Sequence, residues 1–101
     1  MRLLVANPNS TASMTEKIGA AARAAASPGT EIVAVNPPGG PVSIEGYYDE
    51  AMSVPGLLTM IQTVTTADAI VIACFDDTGL DAARCLTDRS VVGIGEAAYH
   101  F

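Results

Sequence analysis

Four short apolar runs recur along the chain: Leu3 to Ala6, Ile32 to Val35, Ala69 to Ala73 and Val91 to Ile94. They are unbroken, carry many β-branched residues, and mostly stop at Asn, Pro or Gly. Apolar runs without alternation suit strands buried on both faces, as in a parallel sheet. The segments between them read as helices. Ser13-Met14-Thr15-Glu16 has the capping-box pattern, a hydroxyl cap with a carboxylate three residues on. Ala20 to Ala26 follows with high helix propensity, and Ser27-Pro28-Gly29 ends it. Asn36 to Pro41 is loop. A helix starts near Tyr48 or Asp49, is interrupted at Pro55-Gly56, and resumes with Leu57, Leu58, Ile61 and Val64 as its apolar stripe. A short third helix starts at Thr78 or Asp81. It carries Ala82, Ala83, Cys85 and Leu86, with Cys85 expected in the core. The order β-α-β-α-β-α-β predicts an α/β fold: one doubly wound parallel sheet of about four strands, helices on both faces.

The 101 residues make a single lobe over 1–101. Half are apolar, which supports a packed core. Five Lys+Arg against eleven Asp+Glu give a net charge of −6. That balance, with no Trp and few aromatics, argues against a nucleic-acid partner. The opening run is too short for a signal or a membrane span, so a soluble cytoplasmic domain is expected, with no membrane partner. Two cysteines form no disulfide framework. No Cys, His and carboxylate set has metal-ligand spacing, and no Ser–His–acid arrangement fits one site. No metal or other cofactor is expected. The Gly93-Ile94-Gly95-Glu96-Ala97-Ala98 match to G-x-G-x-x-A lacks the following strand and acidic residue of a dinucleotide fingerprint.

Ligands in open parallel sheets bind beyond the carboxyl ends of the strands. Asn7 to Thr11 follows the first strand with two amides and two hydroxyls at a helix start. It can cradle a carboxylate, imide or phosphate, or be a turn with helix caps. Cys74 ends the third strand. It can be a reactive thiol favoured by a helix start and opposed by Asp76 and Asp77, or a small buried hydrophobe. Glu96 can approach the same end from the fourth strand, or serve as a first-turn carboxylate.

Four stretches carry a resemblance when taken together: Met1 to Thr11, Gly40-Pro41-Val42-Ser43-Ile44-Glu45-Gly46, Cys74-Phe75-Asp76-Asp77-Thr78-Gly79-Leu80, and Val92 to Ala98. In order and spacing they resemble the hydantoin and allantoin racemases of the aspartate/glutamate racemase superfamily. The resemblance implies cofactor-independent racemisation at a carbon next to a carbonyl. It implies two similar α/β halves around a pseudo-two-fold axis, with one cysteine from each half flanking the substrate carbon. Cys74 matches the first-half cysteine. Asn7, Ser10 and Thr11 match the first-half substrate loop. Phe75, Asp76, Thr78, Gly79 and Glu96 complete the expected substrate-binding set. Thr78 stands where many relatives have proline. Cys85 does not match the second cysteine, which belongs to the other half.

Three functions compete. The first is a racemase lobe acting on a 5-substituted hydantoin or an allantoin-like compound. The second is a module that binds a small imide or carboxylate without turnover. The third is a decarboxylase or isomerase using one cysteine on the same scaffold. Glu96 to Phe101 looks like a helix beginning, so the chain reads as a first lobe, truncated or completed by a second copy. A homo-oligomer is expected, most simply a two-fold dimer, because a four-stranded sheet leaves edges and apolar faces. The two Cys74 thiols then face each other across a shared pocket, or the copies pair through edge strands or exchanged termini.

Overall fold

A computed structural model describes residues 1–100, and the helix beginning expected over Glu96 to Phe101 falls partly on Phe101, outside the described residues. The chain alternates strand and helix: β1 (Arg2–Ala6), α1 (Ala12–Ala25), β2 (Glu31–Val35), α2 (Tyr47–Thr63), β3 (Ala69–Ile72), α3 (Leu80–Leu86), β4 (Ser90–Gly93) and α4 (Ile94–Tyr99). The four strands form one parallel sheet in the order β2-β1-β3-β4. Leu4 pairs with Val33 on one side and Ile70 on the other, and Ile72 pairs with Gly93.

One sheet face carries the tightest core. Leu4 and Ala6 of β1, Ile70 and Ile72 of β3 and Val91 of β4 are buried with Leu57, Met60 and Ile61 of α2 and Leu80 and Ala83 of α3. Side chains two apart on a strand share a face, so these alternate positions meet α2 and α3. The opposite face holds Leu3, Val5, Ile32 and Val71 beside Ile18, Ala21, Ala22 and Ala25 of α1. This face is only partly covered: α1 leans on β2, where Gly19 lets the helix approach Ala34. Val92 is consequently exposed. The unbroken apolar runs therefore mark strands sealed on one face and half-covered on the other.

Several boundaries differ from the sequence expectation. Thr11, not Ser13, caps α1, and it caps without a side-chain hydrogen bond. Ser13 and Glu16 are both exposed within the helix, so no capping box forms. Asn9 takes over part of that task, its Oδ1 accepting the Thr11 N–H at 3.0 Å. Helix α2 runs through Pro55 without a break. Pro55 and Ala51, whose carbonyl loses its helical donor, both face solvent, where water can satisfy the group. Ser53, Leu57, Met60 and Ile61 are buried on either side of the proline and hold the helix as one rod.

Cys85 is exposed rather than in the core. Helix α3 buries Leu80 and Ala83, one turn apart, which rotates Cys85 outward. Strand β4 stops at Gly93, and Ile94 opens α4. No helix among the described residues is long and apolar enough to cross a membrane.

Candidate functional site

Strand order reverses between β1 and β3, since β1 leads outward to β2 while β3 leads outward to β4. At such a switch point the connections leave to opposite sides of the sheet and open a crevice at the carboxyl ends. Asn7 follows β1 and Cys74 follows β3 at this crevice. An open cleft of about 310 Å³ lies there, lined by Asn7, Pro8, Asn9, Met14, Ile18, Ser43, Ile44, Ala73, Cys74, Phe75 and Ile94.

The β1 side of the cleft is a polar network. The Asn7 N–H extends the ladder to the Val35 carbonyl at 2.9 Å. Its buried amide Nδ2 donates to Asn9 Oδ1 at 2.9 Å and to Thr15 Oγ1 at 3.1 Å. Thr15 Oγ1 in turn donates to Asn36 Oδ1 at 2.6 Å. Both Asn7 amide protons are thus spent on tying together the ends of β1, α1 and β2. Asn9 is freer. Its Nδ2 meets only the Met14 sulfur, a weak acceptor, at 3.3 Å.

Ser10 and Thr11 point at the loop after β2. Ser10 Oγ donates to the Gly40 carbonyl at 3.0 Å, the Ser10 N–H to the Pro41 carbonyl at 2.9 Å, and Thr11 Oγ1 to the Val42 carbonyl at 2.6 Å. A hydroxyl has one proton to give, so these two hydroxyls staple the loop down. The loop then delivers Ser43 and Ile44 as a cleft wall.

The β3 side carries the thiol. Ala73 continues the strand pairing through its N–H to the Ala6 carbonyl at 2.8 Å. Cys74 follows half-buried and free, packed against the apolar core. The chain turns at once: the Asp77 N–H donates to the Cys74 carbonyl at 3.0 Å, with Asp77 at φ +51°. The turn returns Thr78, wholly buried, beneath the thiol, with Cys74 Sγ and Thr78 Oγ1 3.4 Å apart. Gly79 has φ +73°, and a Cβ there would also strike the Leu57 side chain. Phe75 stands at the cleft mouth, 75% exposed.

The two carboxylates that flank the thiol in sequence are directed elsewhere. Asp77 Oδ1 accepts the Gly95 N–H at 2.9 Å and Oδ2 the Glu96 N–H at 2.7 Å. Asp76 lines a neighbouring acidic cleft with Glu45 and Glu50. Glu96 is held away from Cys74 by Arg84, through a pair of contacts at 2.7 and 3.0 Å. Those hydrogen bonds hold the Glu96 carboxyl below its ordinary value and raise Arg84.

Of the residues the sequence nominated, Asn7, Cys74 and Phe75 line the cleft. Ser10, Thr11, Asp76, Thr78, Gly79 and Glu96 stand outside its lining: two staple a loop, two shape the turn, one faces another cleft, one is ion-paired. Asn9, counted by the sequence only as an amide of the Asn7 to Thr11 cradle, lines the cleft as well, as do Ser43 and Ile44, which the sequence did not single out. All three lie in stretches that carried the resemblance, so the signal was present in the motifs. Cys74 is the one titratable side chain among the described residues that line the cleft. The described residues hold no cluster of three or more His, Cys, Asp or Glu able to bind a metal.

Residues 3–101 match the Asp/Glu/Hydantoin racemase family. The chain belongs to that family. It is 48% identical over 103 residues to a hydantoin racemase of Paenarthrobacter aurescens, covering 99% of this chain and 44% of that one. A hydantoin racemase of Pseudomonas sp. (strain NS671) is 50% identical over 102 residues, with 99% and 41% covered. Among solved structures, an allantoin racemase from Klebsiella pneumoniae superposes with a TM-score of 0.95 at 53% identity, covering 99% of this chain and 42% of that one. An allantoin racemase from Pseudomonas fluorescens gives 0.94 at 39%, with 99% and 43% covered. The chain thus spans about two-fifths of the family members it matches. Its four-stranded parallel sheet with flanking helices is the fold of the matched part of those structures.

Proposed function

We propose that this chain is the first lobe of a racemase acting on 5-substituted hydantoins or allantoin-like compounds, with Cys74 as the acid/base group for one face of the substrate carbon. The observation that carries the reading is Cys74 as the titratable group of the switch-point cleft. The carbon to be inverted lies next to a carbonyl. Cys74 as thiolate takes the proton and becomes a thiol. The C–H electron pair moves into the adjacent carbonyl, whose oxygen gains negative charge as an enolate. Donors placed at that oxygen lower the barrier. Asn9 Nδ2 and the Ser43 hydroxyl are the cleft groups suited to this. The proton added to the opposite face completes the inversion.

Inversion needs a second acid/base on that opposite face, because one base mostly returns the proton where it was taken. Cys85 does not supply it, since it is exposed on α3. The second group therefore comes from a second lobe, or from a second copy of this chain on a two-fold axis. The reaction as drawn uses only protons and needs no cofactor.

The test is polarimetry of single enantiomers of 5-substituted hydantoins and of allantoin, run in parallel in deuterated water. Loss of optical rotation with uptake of one deuterium supports the reading for a complete two-base site, and deuterium exchange without inversion supports it for a half-site. Binding without exchange at the substrate carbon overturns it in favour of a binding module. Release of carbon dioxide points to a decarboxylase on the same scaffold.

A further inference from the structure

We propose that Thr78 is the positioning residue of Cys74, pairing with its sulfur in both protonation states. The inference rests on the reading of Cys74 as a proton carrier, and it concerns a residue that does not line the cleft.

Thr78 has no access to solvent, so its hydroxyl must find a partner within the protein. The partner is Cys74 Sγ at 3.4 Å, within range for a sulfur hydrogen bond, and either atom can be the donor. The backbone sets this pairing. The Asp77 N–H bond to the Cys74 carbonyl closes the turn, and Leu80 N–H bonds to the Asp77 carbonyl at 3.0 Å. Asp77 and Gly79, at φ +51° and +73°, bracket Thr78 and fold it back under the thiol.

A proton carrier alternates between thiolate and thiol. The thiolate needs a donor, and the thiol is best served by an acceptor. A carboxylate can only accept, and a backbone N–H can only donate. A hydroxyl does both. When Cys74 is a thiolate, the Thr78 O–H points at the sulfur. When Cys74 takes the substrate proton, the S–H points at Thr78 Oγ1 and the hydroxyl proton rotates away. Thr78 neither gains nor loses a proton. Proline at this position has no such group.

The test uses Thr78→Val, which keeps the shape, and Thr78→Ser, which keeps the hydroxyl. Alkylation of Cys74 by iodoacetamide is followed by peptide-resolved mass spectrometry, with Cys85 as internal control. The thiolate is the reacting species. Thr78→Val is expected to slow Cys74 alkylation about five-fold at neutral pH, the margin by which the charge-assisted bond to the thiolate exceeds the neutral bond from the thiol. The rate recovers in alkali, Thr78→Ser restores it, and Cys85 is unchanged. Equal Cys74 rates in Thr78→Val and the parent chain overturn the proposal. If Thr78→Val does not fold, the S–H stretching band of the parent, assigned through Cys74→Ser, decides. A band shifted below that of a free thiol supports the pairing, and one at the free-thiol position overturns it. Altered alkylation with neither inversion of any hydantoin or allantoin nor deuterium exchange at its substrate carbon leaves the pairing standing and removes the racemase reading instead.

Discussion

Asp77 Oδ1 accepts the backbone N–H of Gly95 at 2.9 Å, while its other oxygen accepts that of Glu96 at 2.7 Å. One carboxylate thereby fastens the turn after β3 to the start of α4. The approach is close enough that a Cβ on Gly95 would collide with the Phe75 carbonyl, and one on Gly93 with Asp77 itself. The G-x-G spacing at Gly93 and Gly95 thus has a packing cause. Asp77→Ala leaves two N–H groups without their charged acceptor and is expected to cost about 2 kcal/mol. Gly95→Ala is expected to cost at least as much, through steric displacement of the turn. Urea denaturation measures both. Unchanged midpoints would show that the turn is held by something else.

Cys74 and Cys85 are expected to separate cleanly. Cys74→Ser abolishes racemisation in any competent assembly and keeps the fold. Cys85→Ser changes stability by less than about 0.5 kcal/mol, as for most exposed positions. Polarimetry with thermal melts of both variants checks this. Racemisation that survives Cys74→Ser at the parent rate removes Cys74 from the chemistry.

The Arg84–Glu96 pair predicts a pH dependence. Hydrogen bonding from Arg84 holds the folded Glu96 carboxyl below its ordinary value. A lowered carboxyl contributes stability above its unfolded value and loses it as pH falls through the folded one. Arg84 stays charged throughout and also donates to the Val91 carbonyl at 2.9 Å. Glu96→Gln is therefore expected to melt slightly below the parent at neutral pH and together with it once the pH has fallen through the folded Glu96 value. The pair is partly exposed, so the difference is small and shrinks in salt. A gap that widens on acidification contradicts the assignment.

Ser10 and Thr11 anchor the loop that carries Ser43 and Ile44. Ser10→Ala combined with Thr11→Val is expected to lower kcat/KM far more than the melting temperature. Amide exchange is expected to quicken over residues 40–44 and to stay unchanged in β1 and β3. Loss of stability with unaltered kcat/KM would make the two hydroxyls purely structural.

The sequence alone determined the sheet and its dangerous end. Leu3 to Ala6 and Ala69 to Ala73 are apolar enough that only a buried strand satisfies them, and Asn7 and Cys74 stop those runs where a parallel sheet binds ligands. These are local properties, carried by neighbours in the chain. Tertiary structure decided what depends on distant partners. Pro55 stays within α2 because the residues on both sides of it are buried against the sheet. Cys85 turns outward because Leu80 and Ala83 claim the inner face of α3. Glu96 leaves the cleft for Arg84, twelve residues away, and Ser43 enters it because Thr11, thirty-one residues from Val42, holds that loop in place. Spacing along the chain carries no record of such pairings, since each is set by which surfaces the packed sheet brings within hydrogen-bond reach.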